Sequence, residues 1–195
     1  MNAMILAGGE NKRIGFQKCL AEIDGKRIIE NNLIKLEKYF NIIFISTNDP
    51  EAFFYLGMPL TGDILGHCGP MTGIFSVLVS SGSAEIFVSA CDMPFVDKKV
   101  IALIKDRYNG QDALIPVFNK RPQPLLGIYS ARAANMMERK ISLKDYGMTT
   151  FLNEIDTDYI QEEDIARVDP SGRSFVNINT MEDFKKAEEL VGNNE

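Results

Sequence analysis

The sequence predicts an α/β fold of three layers, a Rossmann-like, mostly parallel sheet with helices on both faces. Three observations carry that expectation. Short apolar runs alternate with segments of helical period, the pattern of strands linked by crossover helices. Several of those runs are apolar throughout rather than alternating, as strands covered on both faces are. Glycine, proline and short polar groups gather at the ends of the strands, where such sheets bind ligands.

The first strand is Asn2–Ala7. Ile28 to Phe40 repeats apolar residues at Ile29, Leu33, Leu36 and Phe40, a helical period. Asn41 ends that helix, and Ile42–Ser46 is β-branched and continuous, hence a buried strand. Pro50–Leu56 is compatible with a short helix, and Gly57 to Gly69 reads as a loop holding Asp63 and His67. Pro70–Ser81 is a helix entered through Gly69-Pro70, because proline is pre-organised for a first helical turn. Glu85–Ala90 is a strand ending at Cys91-Asp92-Met93-Pro94-Phe95, and Asp97 caps a helix over Lys98–Tyr108.

Ala113–Val117 and Leu125–Tyr129 are further strands joined by the polar loop Phe118–Pro124. Ala131–Arg139 and Leu143–Glu154 read as helices, and Tyr159-Ile160 as a short strand. Ser174–Val176 leads to Asn177-Ile178-Asn179-Thr180, with Thr180 capping a terminal helix through Leu190. Asp183 stands three residues after Thr180, as a capping box prefers.

The chain has 195 residues, enough for a substantial core, and its 45% hydrophobic and 25% charged content is ordinary. A net charge of −6 argues against broad nucleic-acid binding, but not against a nucleotide held by a local cationic loop. Cys19, Cys68 and Cys91 are odd in number and form no C-x-x-C, so neither a disulfide framework nor a zinc site is expected. The lone His67 leaves no second imidazole for a metal cluster. Without a signal peptide or a membrane-length apolar run, the expected compartment is the cytoplasm.

The strand-end loops carry the chemistry. After Met4-Ile5-Leu6-Ala7-Gly8-Gly9 come Lys12, Arg13, Gly15 and Lys18. The glycines let backbone N–H groups approach phosphate oxygens, and Arg13 and Lys18 supply the neutralising charge. A plain strand-to-helix turn with solvated cations is the other reading. Neither a Gly-x-Gly-x-x-Gly fingerprint nor a P-loop is present. Asp92, at a strand end with Pro94 behind it, suits Mg²⁺, which takes one or two carboxylates plus phosphate oxygens and water. Asp63 and Asn48 are each either nucleotide contacts or turn residues. Asn177 and Asn179 flank Ile178, so in extended backbone they share one face and Ile178 takes the other. They either bind a polar substrate or cap the helix. Cys91 has only His67 as a base and no orienting group, so it reads as a packing residue. A reaction without a protein nucleophile, such as phosphoryl or nucleotidyl transfer, is preferred.

On these residues the chain resembles the MobA family of nucleotidyltransferases, the molybdenum cofactor guanylyltransferases. Four segments resemble the family in order. They are Leu6-Ala7-Gly8-Gly9 with Arg13, Gly15 and Lys18, then Gly69-Pro70-Met71-Thr72-Gly73, then Cys91-Asp92-Met93-Pro94-Phe95, and finally Asn177 to Asp183. The resemblance implies one nucleotidyltransferase domain over residues 1–195, of the nucleotide-diphospho-sugar transferase or GT-A-like kind. Its N-terminal part would bind the nucleotide and its C-terminal part the acceptor.

The implied reaction moves GMP from GTP to the phosphate of molybdenum-molybdopterin and releases pyrophosphate. By position, Leu6, Ala7 and Gly8 would contact guanine through their backbone, with Gly9 in the same loop. Arg13 and Lys18 would hold phosphates, Asn48 (or Ser46, which aligns as well) and Asp63 would assist nucleotide binding, and Asp92 would hold Mg²⁺. Arg13, Lys18 and Asp92 would be the catalytic set, and Asn177 and Asn179 would face the acceptor. The resemblance leaves room for transient contact with cofactor-biosynthesis or molybdoenzyme-maturation proteins. Ile14, Phe16-Gln17 and the polar Lys120-Arg121-Pro122-Gln123-Pro124 depart from the family pattern, which bears on the acceptor more than on the nucleotide. A cytidylyltransferase, an enzyme with another phosphorylated acceptor, and a non-catalytic nucleotide-binding module are the alternatives.

Overall fold

The computed structural model describes residues 1–8, 18–66 and 69–192. Gly9, Arg13, Gly15 and His67 lie outside the described residues, and so do the expectations attached to them.

Strand β1 is Asn2–Leu6, followed by a two-stranded hairpin, β2 (Glu22–Ile23) and β3 (Lys26–Arg27), and by helix α1 (Ile28–Leu36). Then come β4 (Ile43–Ser46), β5 (Leu60–Thr61), α2 (Pro70–Ser81), β6 (Glu85–Ala90) and α3 (Lys98–Arg107). The second half holds β7 (Ala113–Phe118), β8 (Arg121–Pro122), β9 (Leu126–Ser130), α4 (Ala134–Ser142), α5 (Met148–Leu152), β10 (Thr157–Ile160), α6 (Glu162–Val168) and α7 (Met181–Gly192). The main sheet has the order β10-β7-β9-β6-β1-β4-β5, with β8 on the end of β7. Pairing is parallel from β6 through β1 and β4 to β5, and between β7 and β10. Only β9 and β8 run against their neighbours. The sheet is therefore mostly parallel, as expected.

Period-2 alternation divides the strand side chains between two cores. Ala3, Ile5, Ile45 and Phe87 face a layer built with α1, α3, α6 and α7. Met4, Ile86, Val88 and Ile115 face the opposite layer, built with α2, α4 and α5. Phe40 lies just beyond α1 in hydrogen-bonded turns and packs on Phe87 with centroids 5.1 Å apart. The helical period of 28–40 thus marked the buried face correctly but overran the helix by one turn.

Other elements differ locally. The expected helix over 143–154 is only α5, because α4 ends in a Schellman motif. Lys144 is left-handed (φ 57°), its N–H donates to Ile141 O and the Asp145 N–H to Lys140 O. Lys140, nearly buried, pairs with Asp145 and Glu154 and so ties the α4–α5 loop down. Asp24-Gly25, with φ of 57° and 67°, is the two-residue turn of the β2–β3 hairpin, which the type I′ conformation requires. The polar 120–124 segment belongs to the β7–β8 turn, whose Asn119 and Lys120 N–H groups donate to Glu162 at the start of α6.

Gly127 fixes how closely β9 meets β7. A Cβ there would lie 2.6 Å from Leu114 O and 2.8 Å from Ile115 Cδ1. Overpacking of this kind costs about 1–3 kcal/mol. Gly127→Ala is expected to lower the unfolding free energy by that amount in urea titrations, with no change of slope.

Candidate active site

Register decides where the site forms. Leu6 pairs with both Ser46 of β4 and Ala90 of β6, so three parallel strands finish level. The ladder continues one step further, with Ala7 N donating to Ser46 O (2.9 Å) and Cys91 N to Leu6 O (3.0 Å). The chain segments that follow, at Ala7-Gly8, Thr47-Asn48 and Cys91-Asp92, open on one cavity of about 520 Å³. The start of α2 forms another wall, and Leu125 and Tyr146 close the side nearest β9 and the α4–α5 loop.

Helix α2 approaches so closely because Gly73 has no side chain. A Cβ at Gly73 would meet Ser46 Oγ at 2.7 Å and Leu6 Cδ2 at 2.8 Å. Its entry turn also requires glycine, since Gly69 has φ 91°, and Pro70 follows at the first helical turn. The Gly69–Gly73 segment therefore owes its composition to close packing at the cavity.

Asn48 and Asp63 form a reciprocal pair. Asn48 Nδ2 donates to Asp63 Oδ2 (2.7 Å), and Asp63 N donates to Asn48 Oδ1 (2.8 Å). Each orients the other at the cavity rim, so the two residues act as one polar unit. Ser46 also lines the cavity and is buried.

Asp92 is half-buried at the cavity. Burial pushes its carboxyl above the usual carboxylate range, while the Lys18 ammonium pulls against that shift. Lys18 lines the same cavity, and its Nζ donates to Asn179 Oδ1 at 3.2 Å. The C-terminal segment is thereby joined to the first loop. Asn179 N and Thr180 N both donate to Asp183 Oδ2 (2.9 and 2.8 Å), and Asp183 N donates to Thr180 Oγ1 (3.1 Å). This is the expected capping box with Asp in the acidic position. The backbone donor of Asn179, first among these groups, holds the Asp183 carboxyl below its usual range.

Ile178 is buried and both flanking asparagines are exposed, the alternation expected of extended backbone. Ile178 N donates to Asp92 O at 2.9 Å. Asn179 reaches Lys18, whereas neither Asn177 nor Asn179 is among the cavity-lining residues.

Cys91 is buried, and burial pushes its thiol well up, which suits packing and opposes a nucleophilic role. Among the described residues no group of three His, Cys, Asp or Glu side chains converges for a metal. None of their helices is long and apolar enough to cross a membrane. Sequence reasoning missed Cys19, Thr47, Leu125 and Tyr146, all of which line the cavity. Tyr146 had no local signal, because it reaches the cavity from the α4–α5 loop, far along the chain from the strand-end motifs.

Residues 3–159 match the MobA-like NTP transferase domain. The chain belongs to that family. It is a nucleotidyltransferase, and its cavity lies outside the carboxyl ends of the strands, where open α/β sheets bind ligands. It is similar to the probable molybdenum cofactor guanylyltransferase of Peptoclostridium acidaminophilum, at 31% identity over 97% of this chain and 89% of that one. The crystal structure of molybdopterin-guanine dinucleotide biosynthesis protein A from Archaeoglobus fulgidus superposes with a TM-score of 0.86 at 30% identity. That match covers 99% of this chain and all of that one (100%). A 4-diphosphocytidyl-2C-methyl-D-erythritol synthase from Anaerococcus prevotii shares the fold, with a TM-score of 0.73 at 14% identity over 98% and 95% of the two chains.

The raised Asp92 pKa has a consequence for stability. The folded state holds its proton to higher pH than the unfolded state, whose value is 3.8. Ionisation therefore destabilises the fold progressively as pH rises above 3.8 toward the raised folded-state value. In metal-free protein, Asp92→Asn is expected to gain stability over wild type across that window and keep the gain at neutral pH. Urea titrations at a series of pH values check this, and a wild type favoured increasingly with pH would contradict it.

Proposed function

We propose that this protein transfers GMP from GTP to the phosphate of molybdenum-molybdopterin, releasing pyrophosphate. One observation supports this most: the near-full-length likeness to a probable molybdenum cofactor guanylyltransferase and to a molybdopterin-guanine dinucleotide biosynthesis protein A spans a chain whose C-terminal segment reaches the cleft-lining Lys18 through Asn179. The free thiols of Cys19 and Cys91 are in keeping with a reducing cytoplasm.

In this reading the β1, β4 and β5 side of the cleft takes the nucleotide. Backbone groups of Leu6, Ala7 and Gly8 meet the guanine, with Gly9 next in the sequence, and the Asn48–Asp63 pair accepts and donates at the base or ribose. Lys18 and Arg13 neutralise the phosphates. The other side, toward Leu125 and Tyr146, takes the acceptor, with Asn177 and Asn179 meeting it from the C-terminal segment beside Lys18. The C-terminal part of the chain then serves the acceptor and the N-terminal part the nucleotide.

An acceptor phosphate oxygen attacks the α-phosphorus in line. The bond from the α-phosphorus to the bridging oxygen breaks, and its electron pair leaves on pyrophosphate. No protein nucleophile is needed, so positioning and charge stabilisation are the protein's work. In this reading the Lys18 ammonium balances charge growing on the leaving group, and its bond to Asn179 Oδ1 orients it.

The residues present fit one Mg²⁺. A single half-buried carboxylate at Asp92 faces a cavity that also holds Lys18, and Mg²⁺ completes such a site with phosphate oxygens and water. When bound by Asp92, the ion would supply Lewis-acid charge stabilisation to the triphosphate.

Incubation with Mg²⁺, molybdenum-molybdopterin and each triphosphate in turn is expected to release pyrophosphate with GTP. Release with CTP alone would reassign the base. Lys18→Ala is expected to lower kcat by about 10²–10³-fold, the loss typical of removing one charge-stabilising donor. Asp92→Ala is expected to abolish turnover with the fold intact by circular dichroism.

A further inference from the structure

Two polar side chains on α1 converge on the backbone of the turn that carries Asp92. Asn32 is 3% exposed, and its Nδ2 donates to Cys91 O at 3.2 Å. One turn further along, Lys35 Nζ donates to Pro94 O at 2.6 Å. From the other side Ile178 N donates to Asp92 O at 2.9 Å. The carbonyls of Cys91, Asp92 and Pro94 are thus each held by a different donor.

Neither α1 residue is what stability alone would select. Asn32 Oδ1 is buried with no hydrogen-bond partner among the described residues, a state that destabilises the fold because the oxygen loses its water without a replacement. Apolar neighbours Ile28, Ile29, Leu33 and Leu36 already fill the same helix face, so an aliphatic residue at position 32 would suit the core. Lys35 is also largely withdrawn from solvent, enough for burial to pull its ammonium down to about 8. Two costly groups one turn apart, both aimed at the same turn, point to a requirement for that turn's geometry.

We propose that Asn32 and Lys35 are positioning residues, which brace the Cys91–Pro94 turn so that Asp92 presents its carboxylate to the divalent ion. This rests on the reading of Asp92 as the metal ligand. Partners that orient a metal ligand from behind typically contribute about 10- to 100-fold in metal affinity or activity.

The test is calorimetry of GTP binding with and without Mn²⁺, on wild type, Asn32→Leu, Lys35→Met and Asp92→Asn, with Tm measured for each. Metal-free GTP affinity is expected to stay unchanged in the two α1 variants. The gain in affinity produced by Mn²⁺ is expected to fall about 10- to 100-fold, with the Tm of Asn32→Leu equal to or above wild type. An undiminished Mn²⁺ gain in both α1 variants, alongside a lost gain in Asp92→Asn, would overturn the positioning role and leave the metal ligand standing. A gain that survives in Asp92→Asn would overturn both. A lowered Tm in Asn32→Leu with the full Mn²⁺ gain would assign Asn32 to the fold alone.

Discussion

The level finish of β1, β4 and β6 is the constraint on which everything else depends. Leu6 pairs with Ser46 on one side and Ala90 on the other, so the three following loops leave the sheet at one height. Because the side-chain period of a strand is two, a slip of one residue would turn Ile5 and Met4 into the wrong layers. The two cores therefore hold the register, and the register holds the site. Ala7-Gly8, the Asn48–Asp63 pair and Asp92 come together without any contact between their own side chains being needed to gather them.

Around that frame, stability is given up at several points, some lining the cleft and some behind the turn that carries Asp92. Asp92 is half-buried at a cost that its raised pKa reports. Asn32 keeps an oxygen without a hydrogen-bond partner among the described residues in a core helix, and Lys35 is held half-buried as a cation. Gly73 leaves a helix interior without a side chain where alanine would ordinarily be favoured, because Ser46 and Leu6 occupy the space. Such departures from local rules are expected at functional sites, and here Gly73 and Asp92 line the cavity while Asn32 and Lys35 hold the backbone of the Asp92 turn.

The layers, most parallel strands and the strand-end addresses of the candidate residues were legible in the residues themselves, since each rests on short-range periodicity. Asp97 as a cap and the Thr180–Asp183 box were legible for the same reason. Long-range geometry was not. Nothing near Lys18 in the sequence announces Asn179, some 161 positions away, and nothing near Asn32 announces the carbonyl of Cys91. Short elements escaped as well. β5 has two residues inside a Gly/Pro-rich loop, and α6 is short, marked only by the acidic run Glu162-Glu163-Asp164 ahead of Ile165. The Asp24-Gly25 turn also carries a local signal, because an Asp-Gly pair suits two successive positive φ angles.

The central claim is that a nucleoside triphosphate lies with its base over Leu6–Gly8 and its metal-bearing phosphates between Lys18 and Asp92. A crystal structure of the protein soaked with GTP and Mg²⁺ tests this most directly. The account predicts density for the ion against the Asp92 carboxylate and for phosphates beside Lys18. A base seated at Leu125 and Tyr146, or an ion bound away from Asp92, would contradict it.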